Sequence, residues 1–413
     1  MAKVYHSEIF GLREAKYDWL NKHNINTIEW NKLEPSSEFY LFTPHNTSKV
    51  KEYNNYKTLS NIFSLNSSGI KTHRDNFVVA FTKEELKSRF QLLRQKHIDV
   101  DIIMKQFDLI NNRDWNFSQA HKIYIADTKW EEKIITYQYR PFDNRKIFYA
   151  EYMIDWPRIE IMKNMLNENI CLTAGRQGQV VGKSLWNLSF ISDHIFDTNI
   201  YYRGGAVSFP LYLYPETNKR DLFSEHESGD KKPNIKRELF EELKNNFTKS
   251  VTPEEIFYYI YGILHSNIYR KKYEEFLKID FPRIPFTKDY KLFIQLGKIG
   301  KQLAELHLLK SKELLNIVSK FIVSGKNKVE KINYTDEKVW INKEQYFDNV
   351  KEEVWQYQIG GYQVCEKWLK DRKGRALLFD DIKTYCKIVT ALSKTIELQN
   401  EIDKYYDDVE KTV

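Results

Sequence analysis

Between Ala174 and Asn187 the chain reads AGRQGQVVGKSLWN. Arg176, Gln177, Gln179, Lys183 and Asn187 carry the donors and acceptors that meet base edges, Arg with guanine and Gln or Asn with adenine. Gly175 and Gly178 let the backbone turn tightly around the first of them. The stretch is a candidate base-reading head. An ordinary polar hairpin has the same composition, so the two readings stand side by side.

A second group has the chemistry to hold phosphates. In SGIKTHRD (68–75), Lys71, Thr72 and Arg74 follow a glycine and combine cations, a hydroxyl and backbone N–H groups. The bland alternative is a turn whose Arg74–Asp75 pair fixes local geometry. In YRPFDNR, Arg140 and Arg145 are further phosphate candidates, or else stacked arginines pairing Asp143 within a hairpin. Arg203, in YYRGG, completes the set. The charge pattern suits an anionic partner. The net charge is +7, and residues 231–330 alone hold 20 Lys/Arg against 12 Asp/Glu, a local +8. A lysine-rich surface with no nucleic-acid partner explains the same numbers.

Other chemistries find little footing. A metal-dependent nuclease needs an Asp…Glu-x-Lys arrangement. Asp75…Glu85-Leu-Lys87 and Asp230…Glu242-Leu-Lys244 both fit loosely, which shows how readily the pattern arises. Glu85 already serves as partner to Thr82 in a capping box. The ten histidines are scattered without ligand spacing, so no metal is expected. His265 and His307 read as packing residues on helices. Cys171, Cys365 and Cys386 lie far apart and form no Cys-x-x-Cys pair, which suits a reducing cytoplasm. There is no phosphate loop of the Gly-x-x-x-x-Gly-Lys-Ser/Thr type and no Gly-x-Ser-x-Gly elbow, and Gly204–Gly205 is a turn, not a dinucleotide fingerprint. No cofactor is expected. MAKVYHSEIFG has no signal-peptide core, and no apolar run is long enough for a membrane span, so the cytoplasm is the expected compartment.

The elements that position these residues are legible from patterning. Residues 1–225 are mixed and β-rich, and 232–413 are mainly helical with short strands near 328–347, an α+β chain with a polar linker over 216–235. The β-rich part starts with a helix at Arg13–Lys22 and a strand over 37–46. A turn at Asn66–Gly69, a strand at Phe77–Phe81 and helical residues 84–120 follow. Residues 133–152 form a hairpin about Pro-Phe-Asp-Asn, and a short helix lies within 156–170. A strand then ends at Thr173, WNLSFISDHIFD is a strand pair, and FPLYLYP (209–215) closes this half. In the helical part Thr252 and Glu255 make a capping box with Pro253 in the first turn. Ile256, Tyr259, Ile260, Ile263 and Leu264 form one apolar face. Ser266 or Asn267 caps a second helix burying Tyr269, Tyr273, Phe276 and Leu277, and Pro282 and Pro285 force an extended exit. A Gly360–Gly361 turn and a last helix over roughly 379–404 end the chain.

Several of these phrases carry a resemblance. YIYGILHSNIYRKKYEEFLKIDFPRIPF, SGIKTHRD, YRPFDNR, FPLYLYP and the Gly-Gly-Tyr phrase with its Trp-Leu (360–369) occur in order, and they resemble the C-terminal target-recognition region of type ISP restriction-modification enzymes and related single-chain restriction–adenine methyltransferases. The resemblance runs from about residue 3 to about residue 403. It implies a DNA specificity module that reads double-stranded DNA for an adenine-specific methyltransferase and a nuclease in other domains or subunits of a bacterial system. Full-length members carry a Phe-x-Gly-x-Gly-like loop for S-adenosylmethionine and an Asn-Pro-Pro-Tyr motif. Neither is in this sequence, so the chain is expected not to be an enzyme. One alternative is a module that docks a DNA methyltransferase without touching DNA, and another is the metal-dependent nuclease.

Overall fold

Thr252 and Glu255 fix the start of helix Pro253–His265. Thr252 Oγ1 accepts from Glu255 N, and Glu255 Oε2 accepts from Thr252 N, the reciprocal box that the sequence predicts. Ile256, Tyr259, Ile260, Ile263 and Leu264 are wholly buried. Ser266 caps the next helix, Asn267–Lys272, and the turn Glu274–Leu277 continues it past a break at Tyr273. The proline-bounded exit then pairs as a strand, Arg283–Ile284 against Lys57–Thr58. Ile260→Ala should cost about 2–5 kcal/mol in a denaturant melt, as a core truncation does. A variant that melts with the parent would mean that this face is open to solvent.

The computed structural model describes residues 3–35, 40–95, 99–175, 185–202, 204–215 and 231–413. They form two compact units, Met1–Tyr53 and Asn54–Val413. In the first, strand Val4–His6 pairs antiparallel with Asn31–Leu33, with helix Arg13–Lys22 between them in sequence, as predicted. The strand expected over 37–46 falls partly outside the described residues. Its described part, from Tyr40, is irregular, and Tyr40 itself has φ +48°.

The second unit holds two four-stranded sheets on its strand-rich side. One runs Ile195–Phe196, Ile134–Arg140, Asp143–Phe148, Val79–Ala80, with the first pair parallel. Its hairpin turns at Phe142, which has φ +61°. The other runs Ser67–Ser68, Val207–Pro210, Cys171–Ala174, Ser189–Ser192, all antiparallel. WNLSFISDHIFD therefore supplies two strands to two different sheets. Ser192 Oγ turns the chain between them, donating to His194 O and accepting from His194 N.

Other local expectations shift for physical reasons. Asn66–Gly69 is not a turn, because Ser67 and Ser68 pair with Ser208 and Val207. Gly69 is needed for close approach instead: a Cβ there would lie 2.7 Å from Thr198 N. Residues 77–78 belong to the helical turn Asp75–Val78, since Phe77 N and Val78 N both donate to Arg74 O, and only Val79–Ala80 is strand. The helical stretch 84–120 divides into Lys83–Leu92, Val100–Gln106 and the start of Phe117–Ala126, because Asp99 and Asn116 each cap a new helix.

Helices Pro253–His265, Tyr290–His307 and Phe379–Lys411 pack together on the helical side. The strands expected near 328–347 form an antiparallel sheet with Lys320–Phe321. Most of the 216–235 linker lies outside the described residues, while Lys232–Pro233 pairs with Tyr212–Leu213. The strand-rich and helical parts are in contact inside the one unit. The Phe190 ring stacks on His307 at 5.2 Å, and Phe142 meets the same ring edge-on. No helix among the described residues is long and apolar enough to cross a membrane.

Candidate nucleic-acid interface

The predicted reading head is the connection of a paired hairpin. Ala174 pairs with Ser189, and Gly175 N donates to Leu188 O at 2.9 Å. Residues 176–184 lie between these two points, so Arg176, Gln177, Gln179 and Lys183 fall outside the described residues, as does Arg203. Asn187, expected on the reading surface, is nine-tenths buried. Its Nδ2 donates to Gln358 O at 3.0 Å and to Gly360 O at 3.4 Å, so the side chain ties the hairpin to the Gly360–Gly361 turn. Gly361 N in turn donates to Tyr201 O, and the Tyr201 hydroxyl reaches Thr173 in the first hairpin strand. The base of the hairpin is thus held by bonds from two other parts of the chain, which are themselves joined.

The 71–75 segment is built differently from the phosphate grip expected of it. Thr72 is buried and its hydroxyl donates to Asp75. Arg74 is also buried. It pairs with Asp155, donates to Thr72 O and Met153 O, and lies 3.6 Å over the Trp115 ring. Asp155 also accepts from His73 Nδ1 at 2.5 Å and from Asn112 Nδ2 at 3.2 Å. Burial works against the Asp155 charge, but these donors outweigh it and hold the carboxyl below its ordinary range. Thr72 and Arg74 are therefore spent inside the protein. Lys71 is half-buried, at the edge of a cleft of about 290 Å³ lined also by His73, Asn76, Asn199 and three carboxylates, Asp75, Asp108 and Asp197.

Arg145 takes the bland alternative, whereas Arg140 stacks as that reading has it but faces Asp197 instead of Asp143. Arg140 is buried over the Tyr139 ring at 3.8 Å and faces Asp197 at 3.5 Å. Arg145 pairs with Asp143 at 2.7 Å and with Asp371 at 2.9 Å, while Arg372 holds the other Asp143 oxygen at 2.8 Å. Burial opposes the Asp143 charge most strongly, but Arg372 and Arg145 together hold this carboxyl below its usual range. The loose nuclease pattern also comes apart. Glu85 bonds Arg375 and Phe81 N, Lys87 pairs with Glu131, and Glu242 pairs with Lys57. Among the described residues no three His, Cys, Asp or Glu side chains converge as a metal site.

Sequence reasoning passed over Trp156, Arg158 and His73, which gather around Lys71. The signal was present in DWPR: a tryptophan beside a proline, between an acid and an arginine.

A braced hairpin base and a cation-bearing cleft edge lie on one α+β body. The chain belongs to the Type ISP C-terminal specificity domain family, whose model matches residues 61–401. No curated protein matches it. Among solved structures it is similar to an ATP-dependent Type ISP restriction-modification enzyme, LlaBIII, bound to DNA, at 23% identity and TM-score 0.67, over 91% of this chain and 25% of that one. It is similar also to a nuclease-deletion mutant of the Type ISP enzyme LlaGI in complex with a DNA substrate mimic, at 21% identity and TM-score 0.68, over 97% of this chain and 33% of that one. A DrdV–DNA complex matches at 16% identity and TM-score 0.73, over 97% of this chain and 43% of that one. The chain thus spans well under half the length of each solved chain, and these likenesses speak for the fold.

Proposed function

We propose that this chain reads the target site in double-stranded DNA for a restriction-modification system, and that an adenine-specific methyltransferase and a nuclease in other domains or subunits do the chemistry in the cytoplasm. The family match over 61–401 carries the reading. Its support is the hairpin closed at Ala174–Ser189, which offers a braced base for the sequence AGRQGQVVGK. Arg176, Gln177, Gln179 and Lys183 are the proposed base readers, with Arg with guanine and Gln with adenine as the pairings. The sequence has no S-adenosylmethionine loop, no Asn-Pro-Pro-Tyr and no phosphate loop, so the isolated chain is proposed to be catalytically silent.

The assembled enzyme tests this on a randomised target library. Arg176→Ala should cost about 1–3 kcal/mol on the preferred site and relax preference at one base pair. Unchanged preference after replacing Arg176, Gln177 and Gln179 together would move the reading head elsewhere. An enzyme that keeps its site preference with this whole chain removed would refute the function.

A further inference from the structure

Trp156 is 43% exposed, although large aromatics are mostly buried. Its backbone is fixed. Trp156 N donates to Lys71 O at 3.0 Å and Lys71 N donates to Trp156 O at 3.2 Å, an isolated antiparallel bridge between segments 85 positions apart. Three side chains surround the indole. Lys71 Nζ lies 4.7 Å and Arg158 Cζ 4.9 Å from the ring centroid, and the His73 ring stands edge-on at 5.9 Å. Among the described residues neither Lys71 nor Arg158 has a carboxylate within ion-pair distance, and Arg158 Nε is buried without a partner. Asp155, the acid next to Trp156 in the chain, is occupied by Arg74, His73 and Asn112.

The backbone around the ring is strained. His73 has φ +55° and Arg158 has φ +53°, a region that favours glycine, and both residues flank the indole. Strain of this kind persists where the surrounding structure over-determines it, and it gathers at binding sites. Here the Lys71–Trp156 bridge and the Asp155 cluster supply that constraint. Two cations resting on an aromatic ring are also held in place before any ligand arrives, so little side-chain freedom is lost on binding.

We propose that Trp156, Lys71, Arg158 and His73 form a clamp for the phosphodiester backbone of duplex DNA, separate from the residues that read bases. The choice of ligand rests on the DNA-reading function above. The indole holds the Lys71 and Arg158 charges at fixed positions, where they neutralise two phosphates. The exposed part of the ring packs against the sugar between them. A site of this chemistry positions the duplex and carries no sequence information.

The experiment measures binding of the full chain, and of the assembled enzyme, to a preferred-site duplex and a scrambled duplex between 50 mM and 1 M salt, about 1.3 decades. Lys71→Ala with Arg158→Ala should reduce the slope of log K on log salt by about two. At 50 mM salt it should weaken both duplexes on the order of a hundredfold, while their ratio stays at the parent value. Trp156→Ala should weaken both duplexes in the same sense, and Trp156→Phe, which keeps a ring under the cations, should bind close to the parent. An unchanged slope in a double variant that melts like the parent overturns the clamp. So does a loss confined to the preferred duplex, which would make these residues base readers. A parent without sequence preference whose slope still falls in the variant would sink the reading function and leave the clamp standing. A parent with preference and an unmoved slope would do the reverse.

Discussion

Gly300→Ala should destabilise the protein by more than about 4 kcal/mol, the range reserved for severe core damage. Helices Pro253–His265 and Tyr290–His307 meet backbone to backbone at this point. A Cβ on Gly300 would lie 1.9 Å from Tyr258 O and 2.9 Å from Gly262 N. Gly262 answers from the other helix, its own Cβ position being 2.9 Å from Leu296 O. Overpacking a core commonly costs about 1–3 kcal/mol because side chains shift to absorb it. Here the obstacles are main-chain atoms of a helix, which can give way only if the whole helix moves. Such movement would carry His307 with it, and with it the seat on which Phe190 of the hairpin strand stacks. The variant should therefore lose site preference in the assembled enzyme as well as stability. Gly297→Ala is the control. Its nearest obstacle is Glu255 O at 3.6 Å, ordinary contact, and alanine is the better helix former by up to about 1 kcal/mol. Gly297→Ala should be neutral or stabilising in urea melts. If both variants melt with the parent, the two helices do not approach this closely.

What the sequence revealed and what it hid follow one physical division. The Thr252–Glu255 box, helix Arg13–Lys22 and the hairpin about Phe142 rest on signals within four residues, and each formed where the pattern put it. Strand partners are not local. Nothing in SFISDHIF says that Ser189–Ser192 joins Cys171–Ala174 while Ile195–Phe196 crosses to Ile134–Arg140. The arginines hide for the same reason. Arg74 finds Asp155 across 81 positions, and Arg145 finds Asp371 across 226. In the sequence each looks as available to a phosphate as Lys71 does. Exposure is equally silent, and nothing in DWPR says that the fold leaves Trp156 on the surface. Of the predicted reading head, Asn187 and the hairpin base lie among the described residues, and Asn187 is spent on Gln358 O and Gly360 O.

Acidification from pH 7 to pH 5 should remove about 2 kcal/mol of stability through the buried His307, with the buried His265 acting in the same direction. His265 and His307 lie on neighbouring helices with ring centroids 5.3 Å apart, and both are buried. His307 bonds the Tyr261 hydroxyl at 2.6 Å and the Thr395 hydroxyl at 2.9 Å, and His265 Nδ1 bonds Tyr261 O at 2.8 Å. Burial, then the Arg270 guanidinium, pushes the His307 imidazole down to about 3, and the same causes drive His265 well below its ordinary value. In the unfolded chain both take up a proton near pH 6.5. The unfolded state therefore binds more protons than the folded one below that pH. The stability is fully present above about pH 6.5 and is lost as pH falls toward the folded values, at about 1.4 kcal/mol per unit for each histidine. His194, lowered by its own burial, works in the same direction. Asp143 acts elsewhere. Its carboxyl is depressed, so its contribution holds above about pH 4 and fades only below, whereas Asp197, whose carboxyl burial raises, works against the histidines as pH falls. Urea melts at pH 7.5, 7, 6 and 5 measure the slope. The His265→Gln/His307→Gln double variant should start less stable at pH 7.5 and fall less steeply with acid. A parent whose stability is flat across that interval would mean that both imidazoles take up protons in the folded protein at the same pH as in the unfolded chain, and that the seat beneath Phe190 is open to water.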